Sequence, residues 1–132
     1  MPRFRFDKLV RDKIVEHQLK SGARPKYRRL DKNDHKEELI KKIIEEAREV
    51  LSASEKSLAS EIADVQQAVD DLIEQFNLTE EDIKASKELK RQKNGAFKKG
   101  IYVDYVDLDE DDPFTDYYRN NPDRYPEVSE KE

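Results

Sequence analysis

Between Asp34 and Ala53 the apolar residues Leu39, Ile40, Ile43, Ile44, Ala47, Val50 and Leu51 recur every three or four positions. At about 100° per residue they fill an arc of roughly 140° on a helix, with charged residues on the remaining circumference. Leu58, Ile62, Val65, Val69, Leu72, Ile73 and Phe76 repeat the pattern after a polar break at 52–57. The short break predicts an antiparallel helical hairpin, about 34–53 and 58–76, with Asn33 or Asp34 capping the first helix. A shorter helix is expected over about 8–20, ended by Ser21-Gly22. Another is expected over 79–94, with Thr79 as its cap and Gly95 as its stop.

Helical periodicity is interrupted at 23–30, where Pro25 marks an extended connector, and again after Gly95. Ile101-Tyr102-Val103-Asp104-Tyr105-Val106 is β-branched and aromatic and reads as a short strand, with 26–30 as its candidate pair. The expected fold is therefore an all-α four-helix bundle with at most one two-stranded element. It spans residues 1–106, and a tail follows over 107–132. That tail holds an acidic run, Asp107 to Asp112, then prolines and aromatics. It reads either as a disordered segment or as an arm laid on a partner.

Charged residues make up 43% of the 132 and hydrophobic residues only 35%. Globular domains average about 25% charged. Such a chain is either largely disordered or built of thin helices that share a core between copies, and the clear apolar stripes favour the second. A homo-oligomer, dimer or tetramer, is expected. The chain has no cysteine, which removes disulfide and thiolate chemistry. No apolar run approaches the roughly 20 residues of a membrane span. The basic start, Met1 to Phe6, lacks the apolar segment of a signal peptide, so a cytoplasmic setting is expected.

The net charge of −5 conceals three blocks. Residues 1–30 carry ten Lys/Arg against three acids, 45–82 carry twelve acids against two bases, and 84–100 carry seven bases against one acid. An acidic centre between basic flanks suits a site that holds both a metal and phosphates. Most of these charges taken singly are solvated helix faces.

Two acidic pairs stand out within the central block. Glu46 and Glu49 lie three residues apart on the first helix of the hairpin, and Glu61 and Asp64 three apart on the second. Each pair shares a helix face and flanks the apolar arc. If the stripes pack together, four carboxylates meet at the edge of the core. They would repel unless a cation joined them. Oxygen ligands without His or Cys select Mg²⁺, or Mn²⁺, over zinc. The plainer reading is a Glu-rich solvated surface.

Glu-x-x-Glu followed on the next helix by Glu-x-x-Asp resembles the signature of the MazG-like all-alpha nucleotide pyrophosphohydrolases. That superfamily includes phosphoribosyl-ATP pyrophosphohydrolase and the dimeric dUTPases. Lys8-Leu9-Val10-Arg11-Asp12-Lys13-Ile14 resembles the opening of a small house-cleaning subgroup. Arg91-Gln92-Lys93-Asn94-Gly95-Ala96-Phe97 is similar to that subgroup's later basic segment. The resemblance covers about residues 5–106. The eleven residues between Glu49 and Glu61 stand at the family's short limit, and the tail has no counterpart in it.

The resemblance implies hydrolysis of a nucleoside triphosphate between the α and β phosphates, giving a monophosphate and pyrophosphate. Glu46, Glu49, Glu61 and Asp64 would hold Mg²⁺, and Glu46 or Glu45 would accept a proton from water. Lys8, Arg11 and Lys13 would hold phosphates, helped by Lys90, Arg91 and Lys93. Asp12 would orient Arg11 or Lys13, or cap the first helix. Asn94 would touch a base. Phe97 and Tyr102 read as core residues before stacking ones, and His17 and His35 as exposed and inert. The rival class is a non-catalytic helical binding or regulatory module. A nucleic-acid binder is disfavoured by the acidic centre and tail.

Overall fold

Glycine and asparagine positions set where the helices end. Gly22 has φ +90 and Asn77 φ +55, the left-handed conformation that closes a helix. At the first, Ala23 N–H donates to Gln18 C=O and Gly22 N–H to Leu19 C=O; at the second, Leu78 N–H donates to Ile73 C=O and Asn77 N–H to Glu74 C=O. Both sets recover carbonyls that a helix end otherwise leaves open. In a computed structural model that describes residues 1–129, these stops and the caps opposite them delimit five helices. They are α1 (Ile14–Lys20), α2 (Lys32–Ser52), α3 (Glu55–Gln75), α4 (Glu80–Asn94) and α5 (Pro113–Arg119). The chain is all-helical over the described residues.

Three helix starts differ from the pattern-based expectation. Helix α1 begins at Ile14, not near residue 8, because Asp7 adopts φ +44 and the stretch after it runs irregular to Asp12. The cap of α2 is Asp31, whose carboxylate accepts from Asp34 N–H at 2.8 Å. Helix α3 begins three residues early, since Ser54 and Ser57 form a reciprocal capping box and leave only Ala53 and Ser54 outside the two helices. Thr79 caps α4 as expected: its hydroxyl accepts from Asp82 N–H while Asp82 accepts from Thr79 N–H, both at 3.1 Å.

No strand occurs among the described residues, so the proposed pairing of 26–30 with 101–106 is absent. Strand propensity at 101–106 goes unused because Ile101, Tyr102, Val103 and Tyr105 are all exposed, and a lone two-stranded ribbon is marginal without a core beneath it. Phe97 and Tyr102, read as core residues, are exposed as well.

The chain divides into two compact units, 1–93 and 94–132. In the first, α2 and α3 pack along each other as the expected hairpin. Its core is thin: Leu39 and Ala68 are the buried apolar residues. Leu39 lies fourteen residues before Ala53 and Ala68 fourteen after Ser54, so they meet at one level across the hairpin. Near the open end, Lys36 Nζ sits 4.6 Å from the centre of the Phe76 ring.

The second unit contains structure that the tail reading missed. Asp112 caps α5, with Pro113 in the first turn. The buried Thr115 hydroxyl donates to Asp109 C=O at 2.7 Å. The Arg119 guanidinium donates to Glu110 through both Nη atoms and to Glu127 at 2.8 Å. Phe114, Tyr117, Tyr118 and Tyr125 gather beside it, Tyr118 and Tyr125 with ring centres 4.6 Å apart. Residues 130–132 of the expected tail lie outside the described residues.

Leu39→Ala should cost about 2–5 kcal/mol in urea unfolding followed by circular dichroism, because so little else is buried. Leu89→Ala on the exposed face of α4 should change stability by about 0.5 kcal/mol or less.

Candidate metal and phosphate site

The same register that sets Leu39 against Ala68 sets Glu46 against Glu61. Glu46 lies seven residues before Ala53 and Glu61 seven after Ser54. Asp64 stands one turn further from the link, on the same face as Glu61. One carboxylate oxygen from each of Glu46, Glu61 and Asp64 lies within 4.8 Å of the others. Glu49, the fourth expected ligand, is exposed and outside this group of three, one turn nearer the link. Its charge still reaches Glu61.

The electrostatics follow from that crowding. Glu61 is partly shielded from water, and the Asp64, Glu49 and Glu46 carboxylates repel its charge, so its carboxyl is held above the ordinary glutamate value. Glu45 behaves oppositely. Partial burial pushes its carboxyl up, but hydrogen bonds from Lys42 and Lys8 outweigh this and hold it below the usual range. Lys42, half-buried on α2, lies 3.1 Å from Glu45 and 3.5 Å from Glu46.

A strap formed by residues 8–13 crosses the hairpin. Lys8 Nζ lies 3.1 Å from Glu45 on α2, and Arg11 Nη2 lies 2.7 Å from Asp64 on α3. Each pair is partly exposed and worth about 1 kcal/mol or less, so the strap is held lightly. Beneath it is a cleft of about 500 Å³, whose lining includes Arg11, Lys13, Glu46 and Asp64. Leu39, Ala68 and Ile14 give it an apolar side. A smaller adjoining hollow of about 190 Å³ shares Asp12, His35 and Asp71 with it.

Of the expected phosphate ligands, Arg11 and Lys13 line the cleft, and Lys8 lies outside that lining, paired with Glu45. Lys90, Arg91 and Lys93 are exposed on α4 outside that lining, with Arg91 held 2.7 Å from Glu88. Asn94 ends α4, ahead of Gly95 at φ +83. Asp12 faces the cleft and does not cap α1, whose N-terminus has no side-chain cap.

Sequence reasoning passed over Lys42, Gln67 and Asp71 and read both histidines as exposed and inert. All line the cleft, and His35 is half-buried. Their signal was present as spacing: Lys42 is one turn before Glu46, while Gln67 and Asp71 follow Asp64 by three and seven residues.

The donor set suits a hard divalent cation. Ligand oxygens about 2.0–2.1 Å from Mg²⁺ stand about 3–4 Å from each other, so the three carboxylates need close by no more than about an ångström or two. No His or Cys is among the three. Compared with protein-family models, curated proteins and solved structures, the chain matches none.

The raised value at Glu61 has a signed consequence. The folded state holds that proton more tightly than the unfolded chain, so the associated stability is present below the ordinary glutamate value and lost as pH rises through the raised one. Glu61→Gln should therefore raise the Tm of the metal-free protein at neutral pH. In thermal melts followed by circular dichroism the gain should vanish below about pH 4.

Proposed function

We propose that residues 1–93 form a nucleotide pyrophosphohydrolase, cleaving a nucleoside triphosphate or related nucleotide to the monophosphate and pyrophosphate. The carrying observation is the meeting of Glu46, Glu61 and Asp64 beside a cleft that also holds Arg11 and Lys13. Neither half suffices alone: acids without cations repel phosphate, and cations without acids do not activate water. The resemblance of the two acidic pairs and the Lys8–Ile14 segment to the MazG-like enzymes points the same way.

In this reading Glu46, Glu61 and Asp64 hold Mg²⁺ or Mn²⁺, with Glu49 one turn away as a further ligand. The bound ion would supply charge neutralisation at the phosphate and acidify a water. Arg11 and Lys13 bind phosphate oxygens and offset charge on the leaving pyrophosphate. Of the two expected proton acceptors, Glu45 is disfavoured. The Glu45 carboxylate is tied to Lys8 and Lys42, which lowers its affinity for a proton. The cleft volume falls in the range of small-molecule sites, about 300–1,000 Å³. Lys90, Arg91, Lys93 and Asn94 have no part in this version.

The assembly belongs to the same proposal. Ile40, Ile44 and Leu51 on α2 and Leu58 and Ile62 on α3 remain exposed, a stripe wide enough to pack against a second copy. The second reading, a non-catalytic helical module, draws on Lys42 and Arg11, which partner Glu46 and Asp64 as ion pairs.

Incubation of the chain with a panel of canonical and damaged triphosphates and Mg²⁺ should release monophosphate and pyrophosphate in equal amounts. Asp64→Ala and Glu61→Ala should each lower kcat at least about 10²-fold, with helicity unchanged by circular dichroism. A panel with no turnover on any nucleotide would leave only the binding module. In light scattering, the wild-type chain should exceed monomer mass, and Ile40→Lys combined with Ile44→Lys should bring it down to that mass.

A further inference from the structure

Arg11 is bonded to an expected metal ligand from outside the hairpin, by a single nitrogen. Its Nη2 lies 2.7 Å from Asp64 Oδ1, and both side chains keep solvent contact. A guanidinium has five N–H donors in a planar fork that matches two phosphate oxygens at once. The contact to Asp64 therefore uses little of its capacity. Lys8 on the same strap makes the contrasting choice: it pairs with Glu45, which is not among the three converging carboxylates.

We infer that Arg11 is a resident counter-ion of Asp64 that a divalent cation displaces, and that the released guanidinium then becomes the phosphate ligand of the cleft. The inference rests on the metal-centred reading above. Its physical basis is competition for one carboxylate. With +2 of charge beside Glu46, Glu61 and Asp64, the attraction between Asp64 and Arg11 falls, while phosphate groups nearby offer Arg11 a denser negative partner. The strap is irregular from Lys8 to Arg11, so Arg11 turns without unwinding a helix. One residue thereby couples two events: it offsets the charge of Asp64 before the cation enters, and phosphate affinity rises only after the cation has taken its place.

The two roles have opposite signs, which makes them separable in the full chain. Mn²⁺ binding is read by electron paramagnetic resonance without nucleotide, and pyrophosphate binding by calorimetry with and without saturating Mn²⁺. Arg11→Ala should tighten Mn²⁺ by about two- to five-fold, the size of a partly exposed ion pair. The same variant should weaken pyrophosphate about ten-fold or more in the presence of Mn²⁺, and not in its absence. Arg11→Lys keeps the charge and loses the fork, so it should leave Mn²⁺ near wild type and still weaken pyrophosphate. Lys8→Ala should change Mn²⁺ affinity little. Unchanged or weaker Mn²⁺ binding in Arg11→Ala overturns the inference while leaving the metal site standing. Equal tightening in Lys8→Ala also overturns it, because the effect is then only the loss of a positive charge. A wild-type chain that binds no Mn²⁺ at millimolar concentration removes the metal-centred reading and this inference together.

Discussion

Ala53 and Ser54 are the only residues between two helices of 21 residues each, and that link fixes the register of the hairpin. A chain that turns so tightly has one way to lay α3 along α2, and it sets equal distances from the link side by side. Leu39 and Ala68 then stand at one level and are both buried, which is favourable, and Glu46 meets Glu61, which is not. The two outcomes are inseparable. Sliding α3 by one turn to part the carboxylates would also pull Ala68 away from Leu39, and there is almost no other core to replace it.

The basic residues nearby follow from that constraint. Lys42 lies one turn before Glu46 and reaches both Glu45 and Glu46 from within α2. Arg11 answers Asp64 from the strap. Each pair is weak by itself, and together they leave the ionisation of Glu61 opposed by its neighbours. Side chains held this loosely can leave their carboxylates at little cost. The separation of the sequence into basic, acidic and basic blocks has a local meaning here for the first block, whose Lys8 and Arg11 lie on the acids.

A thin core has a second consequence. The apolar arc of α2 is wider than α3 covers, and Ile40, Ile44 and Leu51 are left in solvent. In a chain with 43% charged residues, apolar side chains are too few to be spent on exposure without effect. The second unit uses other means of support. A buried threonine hydroxyl, an arginine shared by two glutamates and a cluster of four aromatic rings, three of them on one face of the helix itself, hold the seven-residue α5.

The sequence alone determined the features that act over a few residues. Gly22, Asn77 and Gly95 stop helices because their backbones accept positive φ, and Thr79 starts one because its hydroxyl meets an open N–H; no distant contact is needed for either. The hairpin stripes and the shared faces of Glu46 with Glu49 and of Glu61 with Asp64 were legible for the same reason. Tertiary structure decided what depends on neighbours far along the chain. The irregular course of Lys8 to Asp12, where a helix was expected, is tied to ion pairs with Glu45 and Asp64, 37 and 53 residues away. Which three of four carboxylates converge depended on a two-residue link that the serine capping box shortened. The strand expected at 101–106 did not form because β-propensity needs a packed face, and these residues have none beneath them. Helix α5 escaped notice because its one short turn of aromatics, Phe114, Tyr117 and Tyr118, is too brief to stand as a period, and the rest of its support lies in Asp109, Glu110, Tyr125 and Glu127, brought together by folding.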